Sequence, residues 1–331
     1  MRVVFRTEGN HEQGMGDLWG SIALADECAK REDDVLLVFS GGDEARAIVR
    51  TRGYRFQTPS SFQEEQLAIA AFQPDVIVVN QLSTSAERIQ AFKTMARLVV
   101  TLDDTGEGAQ LADLRVNVLY ETPGSVTEPG YVVLRREFQR AHEGVKPVRE
   151  TVEELVVTQG GGDTHGFTPW IIRALEHMSL RPHCTVIVGP AFRHHDQLER
   201  AVQTSTLRLS IAHDPTNLVE LMRDADLAIT AGGLMMFELA CVGTPGIVVC
   251  AEPFELETAR RLEQAGAVRC AGFGGSIDYA QLPRAVEELA ANRTLREAMS
   301  ACGKQLVDGQ GCQRIMRLIR KELMSSVGGR V

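Results

Sequence analysis

Residues 224–245 read DADLAITAGGLMMFELACVGTP. Leu227–Thr230 is a short, continuous apolar run of strand type. Ala231-Gly232-Gly233 is a turn, and a helical pattern starts at once, with Glu238 one turn inside it. A strand, a glycine turn and a helix N-terminus make a seat for an anion. Glycine lets a ligand approach the backbone, while unpaired N–H groups and the positive end of the helix dipole face it. Glu238 adds an acceptor for sugar hydroxyls near a phosphate seat, a pairing that fits a nucleotide sugar.

The same alternation extends outward in both directions. Strand-type runs at Arg2–Arg6, Asp34–Ser40, Val76–Asn80 and Leu98–Leu102 alternate with helical stretches at Asp17–Lys30, Glu44–Arg52, Gln63–Phe72 and Ser85–Arg97. The order lapses between Asp103 and Thr151, where Pro123, Pro129, Gly130 and Pro147 fall, and the charged piece Gln139–Glu150 reads as a linker. A second series opens at Glu154–Thr158. It passes through Thr168–His177, Thr185–Gly189, Gln197–Thr204, Leu207–Ile211 and Asn217–Arg223 to the opening segment. Gly246–Cys250, Glu257–Gly266, Leu282–Asn292 and a last helix near Cys312–Ser325 follow. Continuous apolar strands separated by helices fit parallel sheets covered on both faces, with ligands at the carboxyl ends of the strands. A chain of 331 residues favours two domains over one. The expected fold is α/β, two Rossmann-like domains facing each other across a cleft, at residues 1–145 and 152–331.

The composition is that of an ordinary globular protein, 44% hydrophobic and 24% charged. A net charge of −9 argues against a nucleic-acid or anionic-membrane surface. Seven cysteines without a Cys-x-x-Cys pair read as reduced thiols in a cytoplasmic protein. MRVVFRTEG lacks the apolar core of a signal peptide, and no run approaches the roughly 20 apolar residues of a membrane span.

The first loop, Glu8 to Asp17, carries Gly14 and Gly16 as a Gly-x-Gly turn after a strand, where a Rossmann-type domain holds its ligand. No third glycine completes a dinucleotide fingerprint, and Gly41-Gly42-Asp43 lacks the residues of a Walker loop, so no cofactor is expected. Asp17 reads in two ways. As an N-cap it satisfies orphan N–H groups; as a general base it stands at the cleft floor, with its pKa lowered by the helix start. His11 reads either as a solvated loop residue or as a second candidate base. Asp103 and Asp104 follow a strand and read as a loop pair, or as carboxylates that bind sugar hydroxyls or orient a base.

Gln159-Gly160-Gly161-Gly162-Asp163 follows a strand in the second half, and Gly161 and Asp163 are expected to line the cleft near a pyrophosphate. Arg193-His194-His195-Asp196 lacks a spaced third ligand and reads as a solvated helix start rather than a metal site.

These residues resemble the pseudaminic-acid-pathway UDP-sugar hydrolases and the spore-coat polysaccharide SpsG-like proteins, over nearly the whole chain. RTEGNHEQGMGD with Ser21–Ala25 is similar to the family's opening RTD…GxGH…LALA, and Leu102-Asp103-Asp104 to its Ile-Asp-Asp. YVVLRREF at Tyr131–Phe138 looks like its Tyr-x-Leu-Leu-Arg-x-Glu-Phe segment. Asn217–Pro245 parallels NMxxLMxxADLAIxAGGxTxxExxxLGxP.

The resemblance implies a GT-B fold holding a UDP-sugar between its domains. Uracil is then expected near the His213–Leu218 turn, the pyrophosphate at Gly232 and Gly233, and Glu238 on ribose hydroxyls. Four polar positions depart from the pattern. The family's catalytic His is Asp17, its Asp-His is Asn80-Gln81, the Ser/Thr after the second Gly-Gly is Leu234-Met235, and its sugar-contacting Asn-Gln falls at Phe254-Glu255. Two readings of the whole follow. One is an enzyme acting at the anomeric carbon of a nucleotide sugar, a hydrolase or an inverting glycosyltransferase in surface-glycan or nonulosonic-acid biosynthesis. The other is a binding or regulatory protein of the same fold that has lost the chemistry. Neither reading fixes an oligomeric state.

Overall fold

The computed structural model describes residues 1–9 and 15–328. The chain divides into two compact units: Met1–Arg135 with the chain from Gln310 onward, and Arg136–Gly309.

The first unit is built on one sheet of β1 (Arg2–Gly9), β2 (Asp34–Gly41), β3 (Arg55–Gln57), β4 (Val76–Asn80), β5 (Leu98–Leu102) and β6 (Leu114–Val116), in the order β3-β2-β1-β4-β5-β6. All of its pairings are parallel. Helices α1 (Gly16–Ala29), α2 (Asp43–Thr51), α3 (Phe62–Phe72) and α4 (Ala86–Met95) connect the strands. β4 and β5 are buried along their whole length, which is why they read as unbroken apolar runs.

The second unit repeats the scheme with β7 (Glu154–Thr158), β8 (His183–Val188), β9 (Arg208–His213), β10 (Leu227–Thr230), β11 (Gly246–Cys250) and β12 (Val268–Phe273), ordered β12-β11-β10-β7-β8-β9. Its helices are α5 (Arg136–Glu143), α6 (Phe167–Leu175), α7 (His195–Gln203), α8 (Leu218–Asp224), α9 (Leu234–Val242), α10 (Glu255–Gln264), α11 (Leu282–Ala291) and α12 (Arg293–Leu306). Leu155, Val157, Val186, Ile229 and Val249 of the sheet pack with Ile171, Leu175, Val286 and Met299 of the helices in one core. In each sheet the strand order reverses beside the first strand of the unit, between β1 and β4 and between β7 and β10. Ligands of doubly wound folds bind at such switch points.

Several elements differ from the sequence reading. The strands β3, β6 and β12 lie at sheet edges, where burial is partial and the apolar pattern breaks. The stretch read as a linker contains part of α5 and is fastened to the second unit. Phe138 is fully buried, Lys146 donates to the carbonyls of Arg223 and Ala225, the latter at 2.6 Å, and Arg149 pairs with Asp226 at 2.9 Å. The division therefore falls at Arg135–Arg136.

Helix α12 was not legible because its buried stripe consists of Arg296, Met299, Ser300 and Gly303 rather than aliphatic residues. Arg296 is fully buried and donates to the carbonyls of Leu289, Ala290, Arg149 and Glu150. The last helix, α13 (Gly311–Gly328), packs in the first unit rather than the second. Met316 meets the Cys28 thiol at 3.9 Å, Gln313 bonds Glu27 at 3.1 Å, and Arg320 pairs with Asp33. Among the described residues, no helix is long and apolar enough to cross a membrane.

Candidate functional site

In the first unit the chemistry gathers at the carboxyl ends of β1, β4 and β5. Helix α1 opens with Gly16, and Met15 occupies the cap position with no side-chain capping bond. Asp17 is therefore inside the first turn and does not cap it. Asn80, the last residue of β4, donates to the Asp17 carbonyl at 2.8 Å and to Ser21 Oγ at 3.2 Å, which fixes that turn.

The Asp17 carboxyl is pushed up to about 7, first by burial and then by the charges of Asp103 and Glu8. The helix start was expected to lower it. Loss of solvent and two like charges outweigh the dipole. Asp103 adopts a left-handed conformation at φ 47° directly after β5, and its Oδ1 accepts from the Leu119 N–H at 2.7 Å. Burial pushes its carboxyl up to about 6, against the pull of the Leu119 and Val118 N–H groups. Asp104 has the turn role: it is fully buried and its Oδ1 accepts from the N–H groups of Gly106 (2.8 Å) and Thr84 (3.1 Å).

Arg6 on β1 was not singled out by the sequence reading. Only 3% exposed, it reaches Glu65 at 3.3 Å, Glu8 at 3.1 Å, Ser40 at 3.3 Å and the side-chain amide oxygen of Gln81. Arg88 approaches the other oxygen of Glu65 at 3.4 Å. The signal was an arginine in mid-strand, a residue that is buried only when paired. Gly16 is exposed, and a Cβ there would meet nothing within 4 Å, so packing does not demand its glycine. His11 and Gly14 lie outside the described residues.

In the second unit β7 and β10, the two strands at the switch point, each lead into a glycine turn. Gly161 is exposed, its carbonyl accepts from Ala191 at 3.0 Å, and it abuts Gly189, where a Cβ would sit 2.5 Å from the Gly161 Cα. Asp163 was expected to face a ligand. It is 4% exposed instead, and its two oxygens accept from Phe167 N–H (2.7 Å) and Thr168 N–H (2.8 Å), capping α6. Gly233 has φ 61° and ψ −143°, a conformation that needs glycine, and α9 starts immediately after it. Glu238 is buried on the second turn of α9.

Glu255 is the main departure from expectation. It opens α10, and its Oε2 accepts from the N–H groups of Ala251 (2.7 Å) and Glu252 (3.2 Å), with Gly232 N–H as a further donor. A Cβ on Gly232 would lie 2.5 Å from Oε2, and one on Gly233 would lie 3.2 Å from Oε1. The anion seat read at Gly232-Gly233 thus holds the chain's own carboxylate. Burial raises the pKa of Glu255, Glu252 adds to the rise, and the three N–H groups oppose it.

Beside this, His165 bonds Glu252 at 2.9 Å and stacks on Phe167 with ring centroids 5.3 Å apart. His213 ends the edge strand β9 and is exposed, Asp214 is left-handed at φ 40°, and Leu218 opens α8 half-buried. That turn lies two strands from β7, across β8. His194 and His195 begin α7, and no group of three or more His, Cys, Asp or Glu among the described residues could hold a metal ion.

A family model described as "Protein of unknown function (DUF354)" matches residues 161–264. The chain is 22% identical to the spore coat polysaccharide biosynthesis protein SpsG of Bacillus subtilis, covering 97% of this chain and 98% of that protein. Among solved structures, MurG of Acinetobacter baumannii superposes with a TM-score of 0.67 at 14% identity, over 97% of this chain and 99% of that one. Anabaena HepE in complex with UDP-glucose gives a TM-score of 0.62 at 13% identity, over 97% and 100%. With its two parallel six-stranded sheets, the chain has the α/β fold of two Rossmann-like units known as GT-B.

Proposed function

We propose that the protein acts on a UDP-sugar at its anomeric carbon, with Asp17 as general base. The observation that carries this reading is the Asp17 carboxyl, held at about 7 beside Asp103 at the switch point of the first sheet. A base works best when its pKa lies near the operating pH, and most aspartates are far too acidic for that. Ionised Asp17 takes a proton from water or from an acceptor hydroxyl. The freed oxygen attacks the anomeric carbon with inversion, the bond from that carbon to the diphosphate oxygen breaks, and UDP leaves with the electron pair. Asp103 orients the sugar or the base. Gly161, Gly232, Gly233 and Glu238 serve the nucleotide, with uracil at His213–Leu218.

The full-length likeness to SpsG supports a place in polysaccharide biosynthesis, and the likeness to the UDP-glucose complex of HepE supports the class of ligand. Incubation with a panel of UDP-sugars, with and without alcohol acceptors, is expected to release UDP. Release without acceptor marks a hydrolase, and release only with acceptor marks a transferase. Binding of UDP with no turnover on any sugar would overturn the enzyme reading.

The second reading, a nucleotide-sugar-binding or regulatory protein, is favoured by one region. Leu234-Met235 supply no hydroxyl at the first turn of α9, and Glu255 fills the seat beside it. Under this reading UDP raises the melting temperature and no variant of Asp17 changes any activity.

A further inference from the structure

Glu255 occupies the anion seat of the second unit, and the inference rests on the reading of this unit as a nucleotide-diphosphate binder. A carboxylate accepting from Gly232, Ala251 and Glu252 N–H groups does what a phosphate oxygen does at a helix start. It lies against both glycines whose missing side chains make the seat, close enough that any Cβ on Gly232 would strike it. The same donors cannot serve Glu255 and a diphosphate together, and two anions cannot share that volume. Glu252 carries a further carboxylate on the same rim, held by His165 at 2.9 Å.

We propose that Glu255 is an internal anion that competes with the ligand's diphosphate for the Gly232-Gly233 turn. Occupation by a ligand requires its side chain to swing out. In the resting protein the phosphates add little to nucleotide affinity, and specificity for the diphosphate is set by how easily Glu255 is displaced. The residue is a specificity determinant and takes no part in the bond-breaking step.

The test compares wild type, Glu255→Gln and Glu255→Ala by calorimetry, with pyrophosphate, uridine and UDP as separate probes. Pyrophosphate is expected to bind the variants about tenfold or more tighter than wild type, with alanine above glutamine. UDP is expected to gain in the same order, while uridine affinity is unchanged. Glutamine keeps an acceptor for the Ala251 and Glu252 N–H groups, so it carries the test if the alanine variant folds poorly.

Pyrophosphate binding to wild type as tightly as to folded variants, or to none of them, would overturn the proposal. If uridine and UDP still bind in that case, the nucleotide reading stands and only the competition is lost. A pyrophosphate gain with no uridine or UDP binding in any form supports the competition and removes the uridine reading.

Discussion

The side-chain amide of Asn80 donates to the backbone carbonyl of Asp17 at 2.8 Å, so the end of β4 holds the first turn of α1. The bond crosses the switch point of the first sheet and sets where the Asp17 carboxyl stands. Asn80→Ala removes this bond and the one to Ser21, leaving buried partners unsatisfied at a cost of about 1–3 kcal/mol. We expect a lower denaturation midpoint and a slower release of UDP. An unchanged rate would show that Asp17 does not depend on this anchor.

Asp17→Asn is expected to lower UDP release by roughly 10²–10⁴-fold with UDP affinity kept. In the wild type, the rate should rise with pH through an apparent pKa of about 7, as the base ionises. The effect on stability runs the other way. A raised carboxyl favours the folded state while protonated; that contribution is complete below 3.8 and is lost as pH rises through about 7. The melting temperature of Asp17→Asn should therefore exceed that of wild type by most above neutrality and by less near pH 5. An equal difference at all pH values would argue against a perturbed Asp17.

Arg6 and Glu65 form a buried pair, 3% and 4% exposed. Arg6→Met strands much of the Glu65 charge, an effect of about 3–5 kcal/mol for a buried ion pair, reduced to the extent that Arg88 still serves it. The double variant Arg6→Met/Glu65→Met should recover most of the loss in a chemical denaturation series. Additive losses would mean that the two charges do not act as a pair.

Gly232→Ala places a Cβ 2.5 Å from the Glu255 carboxylate and must push that side chain aside. We expect it to destabilise the second unit by about 1–3 kcal/mol, as overpacking does. Adding Glu255→Gly, which also removes the Cβ that would lie 2.8 Å away, should restore the melting temperature toward that of the Glu255→Gly parent.

Asp163→Ala removes the cap of α6 and should cost about 1–2 kcal/mol, with Asp163→Asn recovering part of it. If nucleotide affinity fell while stability held, Asp163 would be a ligand contact after all.

The residues read from the sequence as β4, β5, β7, β10 and β11 have the observed boundaries, because each is buried on both faces and its apolar run has no interruption. Edge strands and α12 escaped that logic, since partial exposure or a stripe of Arg, Ser and Gly carries no such signal. The glycine turns were legible because Gly233 needs a backbone conformation that other residues avoid. Glu255 was placed by alignment with a sugar contact, and nothing in its neighbours along the chain showed where its carboxylate lies.

The sequence by itself determined two doubly wound α/β units and the strand ends at which their polar residues collect, because burial periodicity and turn chemistry are local. Tertiary structure alone decided the rest. It packed α13 back into the first unit, brought Asp103 and Glu8 near enough to raise Asp17, and laid Glu255 on Gly232. Charge and exclusion act through space, and Asp103 and Glu255 are remote along the chain from the groups they act on, so no local pattern could reveal them.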